Sequence, residues 1–292
     1  MARTAHSEPT GSVRKSCGFP AGLVEQVLAD ALMLPGPAPV YGITGSQGSG
    51  KSTLAKQLVA AARRRGVRAL AISIDDFYLT RRERLVLGRS VHPLLATRGP
   101  PGTHDVALAC QLLDALRALR PGKSVPVPRF DKLGDRRIPP SRWRRVQGVP
   151  DLVILEGWFL GVPPQPESAL RRPLNRLERE EDPDGSWRRY CNDALARYAP
   201  LWQRIDRLSW LKGPGFEVVP HWRWQQERSL VGAHPARRAA AKSRAEVERF
   251  VQLFERISRH AQRRLPAIAD LIVELDAVRR ARIRKRRRSP SG

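Results

Sequence analysis

Residues 40–66 read VYGITGSQGSGKSTLAKQLVAAARRRG, and no other stretch of the chain restricts its fold so tightly. Gly45 and Gly50 are separated by four residues, and Lys51 and Ser52 follow at once. Glycines between a buried strand and a helix let successive backbone N–H groups curl around phosphate oxygens without Cβ obstruction, and they aim the helix N-terminus at that charge. The spacing therefore predicts a phosphate loop of Gly45, Ser46, Gln47, Gly48, Ser49, Gly50, Lys51, Ser52 and Thr53. In such a loop Lys51 reaches the β and γ phosphates and Ser52 ligates Mg²⁺, so ATP and Mg²⁺ are the expected cofactors.

A loop of this kind demands a sheet to hold it. VYGIT, VRALAISI, DLVILEGWFLG, RIDRLSWLKG and DLIVELD are apolar throughout rather than alternating, as strands buried on both faces are. AGLVEQVLADALML, STLAKQLVAAARRR, DVALACQLLDALRAL, HWRWQQERSL and SRAEVERFVQLFERISRHAQRRL have helical spacing, the last ending near Pro266. SVPVPRFD and RRIPP read as a short hairpin. The expected fold is α/β, a P-loop fold whose parallel sheet is covered by helices on both faces, with a lid segment and a helical C-terminal part. Residues 1–20 read as a flexible arm, 21–278 as the nucleotide-binding domain and 279–292 as a basic disordered tail. Residues 162–190 are polar and Pro-rich, and read as the lid or as an ordinary surface connection.

Two acids mark the strand ends. In SIDDFYLT, Asp75 and Asp76 follow a buried strand, and neighbours there cannot both point the same way, so one serves a site while the other caps a turn. The plainer alternative is an Asx turn and nothing more. In an open α/β sheet the ligand crevice lies beyond the carboxyl ends of the strands. Asp75 can there accept the hydroxyl proton of a phosphoryl acceptor or assist the metal, and Glu156, closing DLVILE, is a second acid for Mg²⁺.

The order of glycine loop, Asp-x-Phe-Tyr and Glu-Gly is similar to that of the phosphoribulokinase, uridine kinase and pantothenate kinase superfamily. More closely, SIDDFYLT, RGPPGTHD, PRFDK with GDR, LEGWFLG and WRWQQE resemble the D-glycerate 3-kinase family, from about residue 40 to 275. The resemblance implies ATP-dependent phosphorylation of a small hydroxy acid, most closely D-glycerate to 3-phosphoglycerate, with Asp75 as the catalytic base. It also implies that Asp76, Tyr78, Arg98, His104, Asp105, Arg129 and Asp131 border the acceptor pocket. The plain readings stand beside these: His104 caps a helix, Arg129 pairs with Asp131, and Trp158, Phe159, Trp222 and Trp224 are core. Pro220 and His221 precede Trp222 and Arg223 where relatives commonly carry Tyr-Arg, so Arg223 or a lid arginine must compensate.

The net charge of +25 and the pI near 11.4 point toward a polyanionic partner. The 53 basic residues are spread through nearly every segment, however, and concentrate only in RRARIRKRRRSPSG. Nucleic acid is therefore a partner that the tail allows and the scatter disfavours, against a small-molecule acceptor. The competing functions are a nucleic-acid-associated P-loop ATPase or polynucleotide kinase, a kinase for another sugar-like acceptor, or a regulatory nucleotide-binding protein with little turnover. No apolar stretch reaches the roughly 20 residues that span a bilayer, and the first residues lack a secretory signal, so no membrane partner and a soluble cytoplasmic protein are expected. Cys17, Cys110 and Cys191 lie far apart and read as reduced and structural. Oligomeric state is not legible.

Overall fold

The computed structural model describes residues 18–233 and 242–285, with the side chains of 230–233 and 285 left aside. Five strands form a parallel sheet: β1 (Val40–Gly45), β2 (Ala69–Ser73), β7 (Leu152–Gly157), β8 (Arg207–Lys212) and β9 (Leu271–Leu275). A sixth, β10 (Ala281–Lys285), runs antiparallel to β9, giving the order β10-β9-β8-β1-β7-β2. Every residue of β1 and β7 is buried, which is why both read as mainly apolar runs, with Glu156 the one acid.

Alternation along the strands feeds two cores. Leu152 and Ile154 of β7, with Tyr41 and Ile43 of β1, face helices α1 (Ala21–Ala31) and α2 (Lys51–Arg64). Val153 and Leu155 turn to the other side, against α4 (Val106–Arg117), α6 (Ser186–Arg197), α7 (Ala199–Trp202) and α9 (Arg244–Ile268). Helices α3 (Arg81–Ser90), α5 (Arg176–Glu181) and α8 (Val219–Ala233) complete the described helices. In place of one short hairpin there are two small ribbons: β3 (Ser124–Val127) pairs with β6 (Arg144–Gln147), and within them β4 (Phe130–Asp131) pairs with β5 (Arg136–Arg137).

Three boundaries differ from expectation. The basic tail does not begin at 279, because β10 turns Ala281 and Ile283 onto the α1/α2 core while Arg282 and Arg284 face Glu274. Residues 286–292 lie outside the described residues, as do 1–17 with Cys17. At the other end of the chain Phe19 is fastened: its N–H donates to Gln57 Oε1 at 3.0 Å and its carbonyl accepts from Gln57 Nε2 at 2.9 Å.

Residues 162–190 form a packed layer rather than a loose cover. Arg256 of α9 binds Glu178 at 2.7 and 2.6 Å, Leu177 N–H donates to Gln252 Oε1, and Arg188 pairs with Asp182, both buried. Buried charges need pairing and hydrogen bonds, and the three that this stretch buries, Glu178, Asp182 and Arg188, have them, while most of its other charges face solvent. Among the described residues no helix is long and apolar enough to cross a membrane.

Candidate active site

The phosphate loop leaves β1 and closes on α2. Gly48 and Gly50 have φ of +77° and +93°, and Gly50 is the N-cap of α2. Lys51 donates from Nζ across the loop to the Ser46 carbonyl at 3.0 Å. Among the described residues the buried Gln47 Oε1 and Ser49 Oγ have no hydrogen-bond partner. A loop without Cβ obstruction fits a polyphosphate, whose oxygens would accept from the Ser49 hydroxyl and from the free N–H groups of the first helical turn. Thr53 lies half-buried in that turn with no side-chain hydrogen bond.

Trp222 of α8 lies against this loop, and a Cβ added at Gly48 would stand 2.6 Å from the Trp222 Cβ. Gly48→Ala therefore combines a clash with a left-handed backbone that alanine resists, a cost of about 1–3 kcal/mol. The expected result is a lower thermal midpoint and a smaller upward shift on adding nucleotide, read by melting with and without ATP. An unchanged nucleotide shift would contradict the loop's assignment.

The strands flanking β1 on one side bring acids to the same edge. Ile43 of β1 pairs with Glu156 of β7, and Glu156 pairs in turn with Ser73 of β2. Glu156 Oε1 accepts from Ser52 Oγ at 2.9 Å, so the hydroxyl and the carboxylate expected at the metal meet. This oxygen donor set suits Mg²⁺, which takes few protein ligands and completes its shell with phosphate oxygens and water. Among the described residues no cluster of three or more His, Cys, Asp or Glu forms an all-protein metal cage.

The two adjacent aspartates divide as expected, but through a turn rather than strand alternation, since β2 ends at Ser73. Ser73 caps a short 3₁₀ turn over Ile74–Phe77; Asp76 accepts from Ser73 N–H and from Phe130 N–H, both at 3.3 Å. Asp76 thus binds backbone rather than facing an acceptor. Asp75 accepts from Tyr78 Oη at 2.7 Å and from Lys132 Nζ at 2.6 Å. Burial raises the Asp75 carboxyl, but the Lys132 ammonium and the two hydrogen bonds outweigh it and hold the group below its usual range. Burial lowers Lys51, against the opposing pull of Glu156 and Asp75.

His104 stacks on Tyr78 with ring centroids 4.5 Å apart, and burial pushes its pKa down to about 4. Its Nδ1 lies 2.8 Å from Tyr198 Oη, which also accepts from Gly102 N–H. The Tyr198 proton then has Nδ1 as its partner, which leaves the ring hydrogen of the neutral imidazole on Nε2. That Nε2 is buried and has no partner among the described residues. His104 does not cap α4; Asp105 does, accepting from Leu108 N–H at 3.0 Å while pairing with Arg137.

The remaining predicted residues separate. Arg98 binds Asp135 at 2.5 Å and the Lys132 carbonyl at 2.8 Å, and shares Asp135 with the buried Arg84. Asp131 pairs with Arg136 and closes a turn onto Leu133 N–H, and does not pair with Arg129, which is exposed and makes no ion pair among the described residues. Asp105 and Asp131 therefore organise local backbone instead of lining a pocket. Trp158, Phe159 and Trp222 are buried core, and Trp224 is half-buried. Arg223 pairs with Glu227 at 3.0 Å, beside the tryptophan that covers the phosphate loop. Sequence reasoning passed over Lys132 and Tyr198. Lys132 is the last residue of PRFDK, but nothing local reveals that the hairpin folds back onto Asp75.

With Glu156 bound to the phosphate loop through Ser52, and Asp75 in the turn that follows the neighbouring strand β2, the chain falls in the class of P-loop kinases. A family model for the methylmalonyl Co-A mutase-associated GTPase MeaB matches residues 20–78, the stretch from α1 through the loop to the acidic turn. Over 199 residues the chain is 36% identical to the uncharacterized kinase mug58 of Schizosaccharomyces pombe, covering 65% of this chain and 70% of that one. Over 204 residues it is 33% identical to the chloroplastic D-glycerate 3-kinase of Arabidopsis thaliana, covering 66% of this chain and 42% of that longer protein. The solved D-glycerate 3-kinase of Cryptococcus neoformans var. grubii superposes with a TM-score of 0.72 at 25% identity, over 91% of this chain and 97% of the other. The chain belongs to the D-glycerate 3-kinase family of P-loop kinases.

Proposed function

We propose that this chain transfers the γ-phosphoryl group of ATP, bound with Mg²⁺, to the primary hydroxyl of D-glycerate, giving 3-phosphoglycerate. The observation that carries the reading is Asp75, a carboxylate held ionised by Lys132 on the sheet edge that bears the phosphate loop. The acceptor's O–H proton passes to Asp75 as its oxygen bonds to the γ phosphorus, and the bond from that phosphorus to the β-phosphate oxygen breaks to release ADP. Lys51 binds the β and γ phosphates. Ser52 and Glu156 would hold Mg²⁺, whose charge neutralises phosphate oxygens.

The acceptor side supports a small anion. Among the described residues the His104 Nε2–H has no partner, a buried donor for an acceptor oxygen, and the exposed Arg129 guanidinium makes no ion pair, which leaves it free for a carboxylate. Part of the positive charge is neutralised in local pairs, such as Arg65 with Glu25, Arg117 with Asp206 and Arg249 with Glu181, and the excess is spread through nearly every segment of the sequence, a scatter that favours a small acceptor over a polyanion.

A product-resolved assay of ATP, Mg²⁺ and a panel of small hydroxy acids and sugars tests the reading. The expected product is 3-phosphoglycerate, and Arg129→Ala should raise the KM for D-glycerate about tenfold while leaving that for ATP near its original value. Ready phosphorylation of another acceptor with D-glycerate untouched would remove the substrate assignment and keep the kinase.

A further inference from the structure

Asp75 has a second neighbour whose placement is elaborate for a surface lysine. Lys132 sits in the turn between β4 and β5, a hairpin that four contacts draw over the acidic turn. Phe130 N–H binds Asp76, Arg137 donates to the Tyr78 carbonyl at 2.9 Å, and Arg84 and Arg98 both clasp Asp135. Arg98 also binds the main-chain carbonyl of Lys132 itself at 2.8 Å. Three arginines thus fix the backbone from which one lysine extends to Asp75 Oδ2 at 2.6 Å. An ammonium has three N–H bonds, and only this one finds a partner among the described residues.

We infer that Lys132 is a second catalytic lysine of phosphoryl transfer, its ammonium holding Asp75 ionised on one side and meeting the γ-phosphoryl group on the other. The inference rests on the kinase reading above. Asp75 stands two residues beyond Ser73, the register partner of Glu156, and Glu156 touches Ser52 of the phosphate loop. The Lys132 charge is felt there, helping to lower Lys51 after burial has done most, while Asp75 and Glu156 pull Lys132 up against its own burial. A transferring phosphoryl group spreads negative charge over its equatorial oxygens, and preorganised cations aimed at that charge stabilise the transition state. The two free N–H bonds of Lys132 supply such donors. Lys132 stays protonated throughout: the acceptor's proton goes to Asp75, the acceptor oxygen gains the γ phosphorus, and ADP departs.

The test compares Lys132→Met and Lys132→Arg with the unaltered chain, using whichever acceptor that chain phosphorylates. Lys132→Met should lower kcat about 10²–10³-fold with little change in the acceptor's KM, and arginine should recover at least about tenfold of the loss. By calorimetry, Lys132→Met should weaken a non-hydrolysable ATP analogue about tenfold and leave ADP unchanged, because only the analogue carries a γ-phosphate. The acid limb of kcat should move up by about one pH unit, since Asp75 loses its nearest cation and keeps Tyr78, His104, Lys51 and Asp76 around it. Equal weakening of ADP and the analogue, or an unmoved acid limb with kcat intact, would overturn the inference. If D-glycerate proves inert while another acceptor turns over, the substrate assignment fails and these readouts still decide the role of Lys132. If no acceptor is turned over, the ratio of analogue to ADP affinity decides it alone.

Discussion

Lys51→Ala is expected to abolish phosphoryl transfer and leave the fold standing. The Lys51 side chain is buried and spans the phosphate loop to the Ser46 carbonyl, so its ammonium lies where β and γ phosphates would enter. Truncation removes a fixed cation from a site sheltered from water, where such charges act most strongly on developing negative charge. A loss of at least about 10³-fold in kcat/KM, roughly 4 kcal/mol of transition-state stabilisation, is the expected scale. The fold should survive because alanine is a strong helix former at the start of α2, and the remaining α1/α2 core is untouched. Steady-state kinetics paired with a thermal melt check both halves. Full activity in the variant would mean that the phosphate site lies elsewhere.

Asp75→Asn should reduce turnover by about 10²–10⁴-fold while ATP affinity stays within about threefold. The amide cannot accept the acceptor's proton, whereas the phosphate cradle, built from the loop and Lys51, is unchanged. The pH dependence follows from the direction of the shift. Asp75 is held below the usual carboxylate value despite burial, so the base is ionised at neutral pH and is lost only as pH falls through that depressed value. The stability it contributes has the same sign, present above its unfolded value and lost as pH falls through the folded one. His104, at about 4, also stays neutral near pH 6.5. The kcat profile should therefore be flat between about pH 5 and 7, with no histidine inflection. Equal loss of ATP affinity and turnover in Asp75→Asn would point to a metal ligand instead of a base.

The parallel sheet and the phosphate loop were legible because both depend on short-range order. Strands buried on two faces are mainly apolar, as VYGIT and the LVIL of DLVILE are; a left-handed loop entering a helix favours glycine, and Gly48 and Gly50 supply it. The hairpin's role was not legible, since β4 and β5 are two residues each and are held by Arg84 and Arg98 from earlier in the chain and by the reach of Arg137 to the Tyr78 carbonyl 59 residues away. β10 escaped notice because its inward residues, Ala281 and Ile283, are interleaved with arginines in a basic run. Asp76 illustrates a third limit. Two acids side by side in SIDDFYLT differ in function only through which backbone amides fold against them, and the Phe130 amide arrives from 54 residues away.

The outer strand β10 carries a consequence for the molecule in solution. A strand at the rim of a sheet offers a row of main-chain donors and acceptors on which another chain can dock, and natural rims discourage this with charge. β10 places Arg282 and Arg284, both largely exposed, along its outward face, with the single carboxylate of Glu274 shared between them. A second copy laid antiparallel on this strand would bring guanidinium groups opposite one another, and like charges directly across a ladder oppose pairing. Sheet-to-sheet fibre growth through this rim is thereby disfavoured. Replacing both arginines with threonine would keep the β-propensity, remove the repulsion and make concentration-dependent aggregation the result to look for in light scattering.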